Sequence, residues 1–396
     1  MKILLALIIT ITIGFAQSDK LSNIPPTKSI FIDTNASVCA PVCMKNLLAD
    51  GDIFTFLSKF KSVAAQLPNL QSDYDHYRRV FRIFNEEDET IKVAILVPQR
   101  SIRRYAISTV NSVIAYLLSK QNNFEIKVFN SMDEEEESIV KQLEKIKNED
   151  FTYVIAPVTQ KGAEVLIHNS ENLLVYIPTI HKTTVQNSPA NIIFGGIDYD
   201  KQIKKLLKYA NNKIAYFSDG SLLTDSLNKS LIKQTPHIIY SKIIESSNVN
   251  FKNILKDNKS LNGTSIFMNT PLVKTSLISS QLRVYEIEPY ILLSTQLNYN
   301  PVLLTLTQYN DIKNLYIANS IGKTSVGLEE INALYGHDIV YDWVNYSTSI
   351  GMDYLYTHFF VTTEKKKFTE EVIDDQVNYD ISIIRPTRYR FEKELP

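Results

Sequence analysis

Lys92-Val93-Ala94-Ile95-Leu96-Val97-Pro98, Tyr153-Val154-Ile155-Ala156-Pro157 and Leu174-Val175-Tyr176-Ile177-Pro178 are the stretches that decide the fold class of this chain. Each is a short apolar run stopped by a proline. Proline has no N–H to give a sheet ladder, so the strand closes there. The polar residues that follow, Gln99-Arg100-Ser101, Thr159-Gln160-Lys161 and Thr179 to Thr184, then lie beyond the carboxyl ends of strands. In open parallel α/β sheets that edge is where ligands bind.

Working outward, the pattern becomes strand, helix, strand, helix. Val93 to Val97 precedes a helix over Tyr105 to Ser119, Phe124 to Phe129 one over Glu134 to Lys147, and Tyr153 to Ala156 one over Gly162 to His168. Runs without apolar-polar alternation, separated by helices, read as a parallel sheet covered on both faces. Ile192 to Ile197 contains Gly195-Gly196, where the chain is expected to cross to a second lobe. The alternation restarts with Ile214 to Phe217, Ile238 to Ile244, Ser265 to Met268 and Ile291 to Leu293. Leu315 to Ala318 reads as a strand, Leu328 to Ser349 as one long helix stopped by Gly351, and Gln376 to Ile384 and Tyr389 to Phe391 as closing strands.

Taken in order, Lys92 to Pro98, Tyr153 to Gly162, Val175 to Thr184, Lys213 to Gly220 and Leu334 to Tyr341 resemble the type I periplasmic-binding-protein family. The likeness is to the branch holding amino-acid-binding proteins and penicillin-binding-protein activators. The resemblance covers about Lys92 to the end of the chain. It implies an α/β, two-lobed clamshell with parallel sheets, plus a small helical N-terminal extension. The expected boundaries are a signal peptide at 1–16, a linker and helical extension at 17–90, lobe 1 at 91–194 plus about 315–360, and lobe 2 at 195–314 plus about 361–396. In that family a hydroxyl after the third strand and N–H groups after the fourth hold the ligand carboxylate. The matching positions here are Thr159-Gln160 and Thr179 through Thr183, while Asp219 is the second-lobe carboxylate for an ammonium or, equally, a helix N-terminal residue.

The bulk numbers exclude more than they select. A net charge of -1 over 396 residues gives no footprint for nucleic acid, and with 11 glycines there is neither a P-loop nor GxGxxG. No Gly-x-Ser-x-Gly elbow and no Cys/His nucleophile pair occurs, so no catalytic residue, cofactor or metal is assigned. Met1-Lys2, an apolar run from Ile3 to Phe15 and Gly14-Phe15-Ala16 read as a cleaved export signal, the run being shorter than the ~18 to 20 residues of a spanning helix. No membrane span is expected after cleavage, and the expected location is the periplasm. Cys39 and Cys43 are the only cysteines, and export favours a disulfide over half a metal site.

Arg100, Arg103 and Arg104 cluster after the first strand and suit an anion or a solvated basic turn. His181 sits in the loop after the strand ending at Ile177, beside Thr183. Asp338 and Asp342 are spaced one helical turn apart, and Glu134 to Glu137 reads as an acidic helix start favoured by the dipole. The expected ligand set is Arg100, Arg103, Thr159, Gln160, Thr179, His181, Thr183 and Asp219. Two roles fit: a binding protein closing on a small polar or anionic ligand, or an envelope scaffold acting through another cell-envelope protein.

Overall fold

The computed structural model describes residues 39–394 apart from 62, 82, 84–89, 121, 246–248 and 362–363. The export signal, the linker before Cys39 and the acidic run Glu86 to Glu89 lie outside the described residues. The chain divides into two compact units, one ending at Phe84 and one starting at Asn85.

The first unit is helical. Pro41–Asp50 (α1) has proline at its first turn, where a missing N–H costs nothing, and ends at Gly51 with φ 76°. Asp52 caps Ile53–Phe60 (α2) by accepting the Thr55 N–H, and Gln71–Val80 (α3) follows. Met44, Phe56, Phe60, Leu70 and Tyr74 form the core, with the Phe60 and Tyr74 rings stacked at 4.6 Å. Cys39 and Cys43 are joined as a disulfide at the entry to α1.

The second unit holds the sheets. Its elements run Ile91–Val97 (β1), Gln99–Ile102 (α4), Arg104–Leu118 (α5), Phe124–Asn130 (β2), Glu136–Asn148 (α6), Tyr153–Ile155 (β3), Gln160–Asn169 (α7), Leu174–Ile177 (β4) and Ile192–Phe194 (β5). Then come Tyr199–Leu206 (α8), Ile214–Ser218 (β6), Leu222–Gln234 (α9), Ile238–Ile243 (β7), Phe251–Leu255 (α10), Ser265–Asn269 (β8), Leu272–Val284 (α11) and Ile291–Ser294 (β9). Val302–Leu306 (α12), Tyr309–Ile312 (α13), Leu315–Asn319 (β10), Val326–Leu334 (α14), Trp343–Leu355 (α15), Glu371–Ile373 (β11), Gln376–Asn378 (β12), Ser382–Pro386 (β13) and Phe391–Lys393 (β14) complete it.

Two seven-stranded, mainly parallel sheets result, in the orders β11-β12-β5-β4-β3-β1-β2 and β14-β13-β10-β9-β8-β6-β7. The α/β class expected from the strand-helix alternation is what forms. β1 shows why its run does not alternate: Val93, Ile95 and Val97 pack on α5 and α15, while Ala94 and Leu96 pack under α6 and α7. Both faces are dry. In the second sheet Ile266 and Met268 face α10 and α11, and Phe267 faces α8 and α9.

The tail departs from the expected layout. Leu315–Asn319, expected with lobe 1, pairs with β9 in the second sheet, and β11 and β12, expected with lobe 2, join the first. The single strand expected over Gln376 to Ile384 is two strands in different sheets, because the chain crosses between lobes at 379–381. The long helix expected from Leu328 to Ser349 is broken: α14 ends at Leu334, Gly336 takes φ 72°, and Asp342 caps a new helix. Asp338 and Asp342 therefore share no helical face. Gly351 does not stop α15 but lies inside it, against the ring of Tyr176.

Candidate functional site

Three connections join the sheets, and each starts at the carboxyl end of a parallel strand. β5 leads through 195–198 to α8, which packs on the second sheet; β10 leads through 320–325 to α14, whose Leu328 packs in the first lobe; β12 leads to β13. The carboxyl edges of both sheets therefore face the junction between lobes. Within each sheet the first five strands follow one order, β2-β1-β3-β4-β5 and β7-β6-β8-β9-β10. In that order the chain reverses direction between the first and third strands, and the crevice beyond their carboxyl ends is the favoured ligand position. The segments that follow those carboxyl ends are Pro98 to Arg103 and Pro157 to Gln160 in the first sheet, and Asp219 and Thr270 in the second.

The junction is a hydrogen-bonded knot. Ser347 Oγ lies 2.9 Å from Pro178 O and 2.8 Å from Gly195 O and shares its one proton between them, Tyr176 Oη donates to Ser347 O (2.8 Å), and Gln376 Nε2 donates to Gly196 O (3.1 Å). Tyr379 Oη also donates to Gly195 O. Gly195 and Gly196, expected to serve an abrupt change of backbone direction, take no positive φ. They are glycines for want of room: a Cβ on Gly195 would collide with the Tyr176 hydroxyl, and one on Gly196 with the backbone of Ile180 and His181.

Each residue expected to hold ligand has a definite place. Thr159, before α7, gives both its N–H (2.7 Å) and its hydroxyl to the carboxylate of Glu134. Thr179 accepts the Val158 N–H (3.1 Å) and donates to Val158 O, tying the ends of β3 and β4 together. Gln160 is exposed and bonds Glu164 one helical turn on (3.1 Å). The three arginines diverge. Arg100 lies near Asp133 and Arg104 near Asp342, with Arg104 also over the Tyr105 ring at 5.2 Å; Arg103 is exposed between α4 and α5 with φ 49°. They do not converge on one anion.

Asp219 stands beside the start of α9, whose cap is Ser221. It accepts from Ser221 N (3.1 Å) and Thr224 Oγ1 (2.8 Å) and sits 3.9 Å from Lys274 Nζ. Burial would raise its pKa, but those hydrogen bonds and Lys274 outweigh it and hold the carboxyl below its usual range.

His181 Nδ1 accepts the Thr183 N–H (3.3 Å) and meets Thr183 Oγ1 at 2.8 Å, which turns Nε2 toward Asp198 Oδ2 at 3.7 Å. Burial lowers its pKa below the ordinary 6.5 against the pull of Asp198. The folded chain therefore favours the neutral ring more strongly than the unfolded chain does. Its stabilisation is complete above pH 6.5, where the unfolded chain is also neutral, and is lost as pH falls through the lower folded value. Wild type is expected to lose thermal stability on acidification below pH 6.5 more steeply than His181→Gln; equal slopes would show that His181 does not couple to folding.

The sequence gives no warning of Glu134. It stands in a run of acids, and only the tertiary contact with Thr159 separates it from its exposed neighbours Glu135 and Glu136. Ser347, Tyr379 and Gln376 were likewise unsuspected, lying far along the chain from the glycines they hold.

No family model matches the chain, and no curated protein matches it. Solved structures do. A leucine-binding protein of Thermotoga maritima superposes with a TM-score of 0.56 at 11% identity, over 77% of this chain and 98% of its own. A solute-binding protein of an ABC transporter from R. palustris, in complex with 4-hydroxybenzoate, gives 0.58 at 12%, over 78% and 96%. The fold is that of the type I periplasmic binding proteins. The branched-chain amino acid substrate-binding protein LivJ of Streptococcus pneumoniae, in complex with isoleucine, shares this binding-protein fold, with a TM-score of 0.53 at 11% identity over 78% of this chain and 100% of its own. At such identities the likeness is one of fold. Among the described residues no helix is long and apolar enough to cross a membrane, and no group of three or more His, Cys, Asp or Glu is placed to hold a metal ion.

Proposed function

We propose that the protein is a non-catalytic, exported binding protein whose two lobes close on a small polar ligand at the facing carboxyl edges of its sheets. The observation that supports this reading is that all three interlobe connections leave from those edges, so a ligand between them touches both lobes. Only a ligand with different affinity for open and closed forms shifts their balance, and contact with both lobes supplies that difference. The substrate-binding proteins of the same fold support the absence of a catalytic step. The segment Met1 to Ala16 supports export to the periplasm.

The test is a thermal-shift screen of the chain against amino acids, short peptides, cell-wall fragments, sugars, polyols and diamines, with small-angle scattering on any hit. A ligand that binds only the folded form raises stability by about 2.7 kcal/mol at a hundredfold excess over Kd. A hit is expected to raise the unfolding temperature and reduce the radius of gyration together. Silence across the whole panel, with recovery of a cell-envelope protein on the immobilised chain, would move the function from the cleft to the surface.

A further inference from the structure

The first lobe's edge contains a ready carboxylate cradle, and the chain fills it itself. The Thr159 N–H and hydroxyl both point at Glu134, at the N-terminus of α7 where the helix dipole favours an anion. Glu134 is 4% exposed although it stands in an acidic run. The wall is shaped to it: a Cβ on Gly162 would lie 2.9 Å from Glu134 Oε1 and 3.0 Å from its Cδ. The neighbouring hydroxyl, Thr179, is already spent on Val158.

The second lobe has the opposite lack. Asn269 Oδ1, Thr295 Oγ1 and Asn298 Oδ1 are buried with no hydrogen-bond partner among the described residues. Their orientation is fixed by the other ends of the amides: Asn269 Nδ2 donates to Asn228 Oδ1 (2.9 Å), and Asn298 Nδ2 to Thr270 O (3.1 Å) and Ser294 Oγ (2.8 Å). Asn269 and Thr295 extend the Phe267 to Leu293 register of β8 and β9, so they stand side by side at the carboxyl edge. The two amide oxygens are acceptors without donors, and the Thr295 hydroxyl lacks a partner in either role.

We infer that the cleft takes a neutral or cationic small molecule rich in O–H or N–H donors, and that Glu134 makes it reject free carboxylates. A ligand carboxylate would compete with a fixed, buried carboxylate for donors it already saturates, and would be repelled by its charge. This class departs from isoleucine and 4-hydroxybenzoate, the carboxylates bound by two proteins of the same fold. The inference rests on the reading of the cleft as a ligand site.

The experiment compares two ligand sets by thermal shift on the full chain: sugars, polyols and diamines against leucine, isoleucine and 4-hydroxybenzoate. Wild type is expected to shift with the first set and not the second. Asn269→Leu is expected to weaken the hit by about tenfold, the loss of one hydrogen bond. Glu134→Ala is expected to unfold at lower temperature and to recover saturably with sodium acetate or formate but not with sodium chloride, while wild type ignores all three. Should Glu134→Ala fail to fold, the wild-type comparison decides alone. Wild type shifted by the carboxylates as strongly as by the donors overturns the ligand class while leaving a binding protein; so does a folded Glu134→Ala indifferent to acetate. No shift with either set overturns the ligand class, and only silence across the wider panel overturns the binding function itself.

Discussion

Asp353→Ala is expected to destabilise the second unit by about 3 kcal/mol or more, because it leaves three buried donors unsatisfied at about 1–3 kcal/mol each. Asp353 sits in α15 at 2% exposure and takes every contact it can reach. Tyr116 Oη donates to it at 2.6 Å, Lys367 N at 2.9 Å and Phe368 N at 3.2 Å. Truncation strands these donors, and among the described residues the two backbone N–H groups have no second acceptor. The carboxylate joins three distant parts of the chain, α5, α15 and the segment before β11. Burial and then the neighbouring carboxylate push the Tyr116 phenol far above its ordinary range, so the hydroxyl stays a donor throughout the accessible pH range. Urea denaturation checks the size. A loss under about 1 kcal/mol would mean that the site relaxes or admits water, and Tyr116→Phe should cost less because it removes one donor cleanly.

Gly196→Ala is the second large effect, expected at about 3 kcal/mol or more, at or above the upper end for overpacking. A Cβ there would meet the carbonyl carbon of Ile180 and the nitrogen of His181, and come within 2.5 Å of Ile180 O. Those are backbone atoms, and Gly196 N is already bonded to Ile180 O at 2.9 Å, so the strands would have to part at the crossing. Gly327→Ala is the opposite case. Gly327 lies in the first turn of α14 with nothing within 4 Å of its would-be Cβ, so alanine there is expected to stabilise by up to about 1 kcal/mol. Parallel denaturation of the two variants tests the claim that space, not backbone freedom, selects these glycines. Equal and small effects would sink it. Gly196→Ala should also loosen the crossing, since the Gly196 carbonyl is held by Gln376 from β12, the third connection.

The strands β1, β3 and β4 were legible because their reason for ending is local: proline removes a donor wherever it stands. Helix α9 was legible for a similar reason, as Ser221 and Asp219 both accept from groups within five residues. The tail was not. Whether β10 joins the first or second sheet depends on which edge is open when it arrives, and β13 covers it from 63 residues further on. The break between α14 and α15 hides in a stretch whose apolar spacing suits a helix. The Ser108 hydroxyl on Asp342 and the Asn111 amide on His337, both from α5, tie the turn to a distant part of the chain, and Asn345 Nδ2 on Asn332 Oδ1 (2.8 Å) holds the two helices together.

The sequence by itself determined the class of architecture, two runs of alternating strand and helix with a crossing at Gly195-Gly196, because apolar periodicity, prolines and caps act over a few residues. Tertiary structure alone decided the site. Thr159 offers the same hydroxyl to a ligand or to Glu134, and nothing within reach along the chain says which. That choice is made by the chain folding Glu134 back onto the start of α7, 25 positions further on, with Gly162 leaving it the room.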